Sequence, residues 1–257
     1  MAYTFTAHIA RTLHGDVYKA ELQPSGTDIA IKVSHLSSVQ ARHLRENPVE
    51  EERIMRFLSS LPSPHPNVLR LIDSMRDENN LYCVMEYGRR GDLLEYVKRN
   101  KRLSPPVVWR LARQLGAALH FLHSNGIAHM DLSPENVLLD DNYDVKLMDF
   151  GLARDLRKHQ RVAFVCDSRS SSSSLSSSSA SASSASDSAL GSDLVGKSHY
   201  MSPELARRQP FDILANDMYA LGVIFFVMAV GWYPYRHVDD RCFKRMANGG
   251  VAELLAR

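Results

Sequence analysis

Two short stretches hold most of the side chains capable of chemistry. The segment His129-Met-Asp-Leu-Ser-Pro-Glu-Asn136 places a histidine, two carboxylates and a carboxamide within eight residues, and Asp149-Phe-Gly151 begins ten residues after Leu139. Carboxylate and amide oxygens are hard donors that suit divalent cations, and a positioned carboxylate can accept a proton from a reacting group. Far upstream, Lys32 sits in the apolar run Asp28-Ile-Ala-Ile-Lys-Val33; a lysine is a compact point charge of the kind that meets phosphate. Each feature alone has a plain structural explanation, as a buried strand lysine or a tight turn. Their joint order over roughly 170 residues gives them weight.

The elements that must position these groups can be read from periodicity. The chain is strand-like to about residue 33, with Val17, Tyr18 and the run to Val33 rich in sheet-forming residues. A helix then begins: Asn47 can cap it, Pro48 suits its first turn, and Glu50 stands three after the cap as in a capping box, ahead of Ile54, Met55, Phe57 and Leu58. Strands are expected around Val68–Asp73 and Leu81–Glu86. From Pro105 to Ser124 apolar residues recur at helical spacing, and Ala220 to Val230 is apolar on every side, which predicts a buried central helix. A small sheet-rich lobe joined to a larger helical one usually holds its ligand in the cleft between them.

Composition limits the partners. Among 257 residues, 31 are basic and 29 acidic, a formal charge of +2, so neither nucleic acid nor an anionic membrane is expected as a partner. Cys83, Cys166 and Cys242 are too scattered for a disulfide framework or a zinc site. The N-terminus lacks a signal-peptide pattern, and the longest apolar run, Ala220–Trp232, is too short to cross a bilayer. A cytoplasmic or nuclear location is expected. Of the 21 residues Ser168–Ser188, 15 are serine, and such a stretch cannot bury enough apolar surface to order itself, so a disordered insert at about 166–192 is expected.

The ordered motifs resemble those of eukaryotic protein kinases. His129-Met-Asp-Leu-Ser-Pro-Glu-Asn136 is similar to the catalytic loop H-R-D-L-x-x-x-N, and Asp149-Phe-Gly151 matches D-F-G. Ala30-Ile-Lys32 looks like V-A-I-K, Glu51 stands where the glutamate of helix C does, and Ser202-Pro-Glu204 matches A-P-E; His65-Pro-Asn67 and Val84-Met-Glu-Tyr87 fall at the strand-4 entry and the hinge. The resemblance covers nearly the whole chain. It implies an α+β bilobal fold: a small β-rich N-lobe with helix C at about 1–86, a hinge at about 86–91, and a larger helical C-lobe at about 92–257, a single domain that stops after helix F or G.

The resemblance further implies an ATP- and Mg²⁺-dependent enzyme acting on serine or threonine hydroxyls of protein substrates. Phosphoryl transfer depends on positioning and charge neutralisation more than on covalent chemistry. Lys32, paired with Glu51, is expected to meet the α- and β-phosphates; Asn136 and Asp149 to hold Mg²⁺; and Asp131 to orient the substrate hydroxyl and accept its proton. The adenine is expected between Val17 and Ala30 above and Leu138 below, against backbone groups of Glu86 and Gly88, with Met85 as gatekeeper and Asp92 at the rim. Met55, Leu71, His129 and Phe150 are expected to stack as a hydrophobic spine, and Asp217 to be the helix-F aspartate.

Several positions depart from that pattern. Alignment on Val17 puts Ala10, Thr12 and Gly15 where three glycines of the phosphate-covering loop are expected, and this narrows the approach of backbone to phosphate. Met130 replaces the arginine that commonly reads an activation-loop phosphate, and Asp193 stands near the usual phosphate site. Ser133 replaces a lysine that contacts the γ-phosphate, while Lys197 stands where threonine is usual and is expected as a catalytic residue that makes good the lost cation. Only 27 residues follow Val230, too few for the last kinase helices, so Glu204 is expected as a buried carboxylate lacking its arginine. The competing reading is a pseudokinase, a scaffold that binds nucleotide or partners without efficient turnover. Its weakness is that Lys32, Glu51, Asp131, Asn136 and Asp149 are all present.

Overall fold

The first 86 residues build a sheet around two tight connections. In the computed structural model, which describes residues 2–37, 46–158, 162–165, 189–190, 197–235 and 240–247, β1 (Ala2–Arg11), β2 (Gly15–Gln23) and β3 (Thr27–His35) form an antiparallel meander. Strands β4 (Leu71–Arg76) and β5 (Asn80–Glu86) complete a five-stranded sheet of order β1-β2-β3-β5-β4. The period of two sorts the faces. Ala20, Ile29, Ile31 and Val84 form one buried cluster. On the other face the register sets Val17 opposite Lys32, Lys32 opposite Cys83, and Ala30 opposite Met85, so Val17, Ala30, Lys32 and Met85 look the same way.

Helix α1 (Pro48–Ser60) packs on that second face. Asn47 Oδ1 accepts from the amides of Val49 and Glu50, and Pro48 occupies the first turn. Its buried residues Glu51, Ile54, Met55 and Leu58 follow a helical stripe. The helix stops at Leu61, which is extended ahead of Pro62. The anticipated capping box does not form. Glu50 turns to Arg53 instead, and the Asn47 amide donates to Gly151 O at 3.2 Å.

The second half is helical. Asp92 caps α2 (Leu93–Asn100), and α3 (Pro105–Ser124) spans the residues its periodicity predicts, burying Leu111, Leu115, Ala118, Leu119 and Leu122. Short strands β6 (Ile127–Ala128), β7 (Val137–Leu139), β8 (Val145–Leu147) and β9 (Arg154–Asp155) pair as β6-β9 and β7-β8. Beyond them lie β10 (Val162–Val165), β11 (Ala189–Leu190), α4 (Pro203–Ala206), β12 (Phe211–Asp212), α5 (Ile213–Val230) and α6 (Arg241–Ala247). Strand β10 pairs with both β11 and β12. The serine-rich stretch Ser168–Ser188 lies wholly outside the described residues, as does Asp193, and of the expected insert only Ala189–Leu190, which forms β11, is described.

Helix α5 corrects the expectation of burial all round. It begins seven residues earlier than the apolar run, capped by Asp212, and is long and apolar enough by composition to span a bilayer. It is buried on one side only: Ile213, Asn216, Asp217, Ala220, Leu221, Ile224, Val227 and Met228 are inside, and Met218 is 56% exposed. Gly231 ends it with φ +92°, where an added Cβ would stand 1.7 Å from Lys101 O. Tyr235 and Phe243 of the following chain pack edge to face at 4.8 Å, both buried. The buried carboxylate expected at Glu204 is not found: its side chain is exposed on α4, so it needs no buried partner.

Candidate active site

Three neighbouring glutamates on α1 resolve into three roles. Lys32 Nζ donates to both oxygens of Glu51, at 2.8 and 2.7 Å, and lies 3.9 Å from Asp149 Oδ1. Burial penalises the Lys32 ammonium, but the carboxylates of Glu51 and Asp149 more than reverse that and hold it charged above the usual lysine range. Glu50 pairs with Arg53, and Glu52 accepts from Arg56 and Ser74. A helix presents only one of three consecutive residues inward, and Glu51 is the one in register with Ile54, Met55 and Leu58.

The catalytic loop is held from below by one buried side chain. Asp217 of α5 accepts from the His129 and Met130 amides, both at 2.8 Å, and from His123 Nε2 at 2.9 Å. His129 Nε2 donates to Met148 O at 2.9 Å while its Nδ1 accepts from the Asp131 amide. Asn136 Nδ2 donates to Asp131 O at 2.8 Å and to Asp131 Oδ2 at 2.9 Å. These bonds fix Asp131 beside Asn136 and leave the amide oxygen of Asn136 as its acceptor. Burial raises the Asp131 carboxyl, against the opposing pull of Lys197, His129 and Asn136.

Asp149 adopts φ +65°, which turns Phe150 into the core. Phe150 is 1% exposed, its ring 5.3 Å from His129, and it lies in the same buried core as Met55 and Leu71. Lys32, Asp131, Asn136 and Asp149 thus converge on one cleft. The donor set suits a hard cation: a carboxylate at Asp149 and an amide oxygen at Asn136, with further positions left to phosphate and water.

The residues expected around adenine divide between the sheet and β7. Val17 and Ala30 share the sheet face above, and Leu138 of β7 lies below. A Cβ on Gly88 would stand 2.8 Å from Leu138 Cβ, so only glycine fits this floor. The Glu86 side chain turns away to Lys146 at 2.9 Å. Of the hinge groups expected to meet adenine, the Glu86 amide and the Gly88 carbonyl already have chain partners, Arg70 O and the Gly91 amide. Asp92 pairs with Leu138 through its backbone and caps α2 by accepting from the Glu95 amide at 2.8 Å. It therefore stands at the rim with a structural duty. In the connection above, Thr12 closes on Gly15 O through its amide and hydroxyl, at 2.7 and 3.0 Å, and a Cβ on Gly15 would fall 2.0 Å from Val33 O. Gly15 is kept for contact with β3, and Ala10 is a ladder residue opposite Val17.

At the far side Lys197 Nζ donates to Ser133 Oγ at 2.8 Å and lies 3.5 Å from Glu135 Oε1. Met130, in place of the expected arginine, is 2% exposed within an apolar cluster with Leu152, Met201, Leu205 and Phe211.

Sequence reasoning missed two features. Asp155, its side chain 1% exposed, accepts from Arg53 Nη2 at 2.8 Å and from Arg157 Nε and Nη2 at 2.8 and 2.9 Å, while the Arg157 guanidinium lies 3.7 Å from the Phe57 ring centroid. Glu46 packs against Gly151, its Cγ 3.4 Å from where a Cβ would stand, and burial followed by the Asp149 charge raises its carboxyl. Neither contact leaves a periodic or motif-like signal in sequence.

Comparison with known proteins agrees with this geometry. The protein kinase domain family matches residues 3–253. The chain is 27% identical to human NUAK family SNF1-like kinase 1 over 248 residues, covering 96% of this chain and 32% of the relative. It is 32% identical to CBL-interacting protein kinase 11 of Oryza sativa subsp. japonica over 219 residues (85% and 38%), and 31% identical to CBL-interacting serine/threonine-protein kinase 15 of Arabidopsis thaliana over 238 residues (93% and 48%). The chain thus spans between a third and a half of these relatives' lengths. It belongs to the protein kinase domain family.

Proposed function

We propose that this kinase domain transfers the γ-phosphoryl group of ATP to serine or threonine hydroxyls of protein substrates. The observation that carries the reading is the simultaneous pairing of Lys32 with Glu51 and burial of Phe150, which places Asp149 toward the same cleft as Asp131 and Asn136. Lys32 would meet the α- and β-phosphates, with Glu51 holding its ammonium in place. Asp149 and Asn136 would hold Mg²⁺, which neutralises phosphate charge when bound. Asp131 would orient the substrate hydroxyl. As the hydroxyl oxygen bonds to the γ-phosphorus, the bond to the β,γ-bridging oxygen breaks, ADP leaves, and the hydroxyl proton passes to Asp131. Choice of serine or threonine is supported by the name of the Arabidopsis relative and by Ser133-Pro-Glu135, which matches neither the Ala-Ala-Arg nor the Arg-Ala-Ala that tyrosine kinases carry at this place. Free thiols at Cys83 and Cys242 suit a cytoplasmic or nuclear setting.

The pseudokinase alternative draws its support from Ala10 and Thr12 in the phosphate-covering connection. The two are separated by incorporation of phosphate from ATP and Mg²⁺ into a generic protein substrate, with Asp149→Ala as control. The expected result is transfer by the wild type and a loss of at least a hundredfold in the variant, with thermal stability unchanged because Asp149 is partly exposed and outside the core. Equal transfer by both proteins would overturn the kinase mechanism.

A further inference from the structure

The catalytic loop and the segment that follows the serine-rich stretch have exchanged residue types, and the structure brings the two changed positions into contact. Ser133 is fully buried, and its hydroxyl accepts from Lys197 Nζ at 2.8 Å. Lys197 is 64 residues away in sequence, at the start of the 3₁₀ turn Ser198–Tyr200, and its side chain remains 40% exposed. It lines the same small cavity as Asp131, together with Met130, Leu132, Tyr200 and Met201. Its second neighbour, Glu135, stands farther off at 3.5 Å. A lysine tethered by a buried hydroxyl and still open on one side is held in place without being neutralised fully.

We infer that Lys197 supplies, from the activation segment, the cation that meets the transferred phosphoryl group beside Asp131. The assignment rests on the kinase reading and adds to it a specific residue for the γ-phosphate, where Lys32 is committed to Glu51 and the inner phosphates. The position of the cation has a consequence: the charge arrives with the segment, so the site is electrostatically complete only when residues 197–200 lie against the catalytic loop. A cation aimed at charge developing in transfer acts mainly on kcat.

The competing explanation is that Lys197 is only a tether between the segment and the loop. Lys197→Gln separates the two, because glutamine keeps a donor for Ser133 and loses the charge. If the charge matters, Lys197→Gln and Lys197→Thr should both lower kcat on the order of a hundredfold with little change in peptide KM. Ser133→Lys added to Lys197→Thr should then recover tenfold or more. The same variants should bind ADP·Mg²⁺ as the wild type does while losing about tenfold in affinity for ATP·Mg²⁺. Full activity of Lys197→Gln, or failure of Ser133→Lys to rescue, overturns the assignment. The nucleotide measurement keeps the two readings apart. A wild type that transfers no phosphate yet prefers ATP over ADP through Lys197 would sink the kinase reading and leave the cation in place; a wild type binding neither nucleotide would sink both.

Discussion

Replacing Asp155 by asparagine should destabilise the whole domain and slow phosphoryl transfer, though the residue touches no part of the cleft. Its carboxylate is 1% exposed and accepts from two guanidiniums and from the Arg157 amide at 3.0 Å. Hydrogen bonds to charged groups contribute about 1.5–3 kcal/mol each, and breaking a buried pair from one side costs about 3–5 kcal/mol. Arg53 and Arg157 keep 32% and 44% of their side-chain exposure, so water recovers part of the loss. A net cost of about 2–3 kcal/mol follows, equivalent to a fall in Tm of roughly 5–10 °C for a domain of this size. Arg53 lies two residues beyond Glu51 on α1, so loosening it should also reduce the time Lys32 spends paired.

The two arginines hold the Asp155 carboxyl well below the usual carboxylate range. A depressed folded-state pKa stabilises above the unfolded value of about 4 and is lost as pH falls through the folded one. The stability gap between wild type and Asp155→Asn should therefore be constant from pH 7 to about pH 5 and shrink below about pH 4. The assay is urea unfolding of both proteins across that range, with kcat measured at pH 7. A Tm within 1 °C of wild type, or a gap that widens on acidification, would refute the reasoning.

Two other outcomes are expected. Deleting Ser168–Ser188 should leave Tm within about 2 °C of wild type by scanning calorimetry, because a serine-rich stretch supplies little apolar burial; a large drop would show that the segment packs. Met130→Arg, which restores the motif's usual residue, should destabilise by about 3 kcal/mol or more in urea unfolding, since a cation would enter the apolar cluster of Leu152, Met201, Leu205 and Phe211; neutral behaviour would mean the cluster opens readily to solvent.

What was legible in the sequence followed physical regularity. Helix α3 was readable to its ends because Ser104-Pro105 starts a clean 3.6-residue stripe, and α1 because Asn47-Pro48 precedes another. Glu51 was separable from Glu50 and Glu52 by its spacing to Ile54 and Met55. The extent of α5 was not, because a helix apolar all round gives periodicity nothing to mark. Nor was the fate of Glu204, where the expectation assumed burial and its side chain faces outward from α4 while Leu205 beside it faces in. The Arg53–Asp155 contact joins residues 102 apart, and charged pairs at that separation leave no local trace.

The same contact bears on how α1 comes to be placed. In a kinase whose catalytic-loop arginine waits for a loop phosphate, an added charge draws cationic side chains together and orders the segment. Here the position of that arginine is filled by Met130 inside an apolar cluster, and Arg53 of α1 is already joined to a carboxylate of the chain itself. Asp155 follows Asp149-Phe-Gly151 by only four residues and pairs through its backbone with Ile127 at the entry to the catalytic loop. Asp155 thus holds α1 through its carboxylate and the entry to the catalytic loop through its backbone, four residues after the D-F-G turn. The Asn47–Gly151 bond adds a second tie between α1 and the same turn. Both contacts accompany the pairing of Lys32 with Glu51 and hold the first turns of α1 against the D-F-G turn.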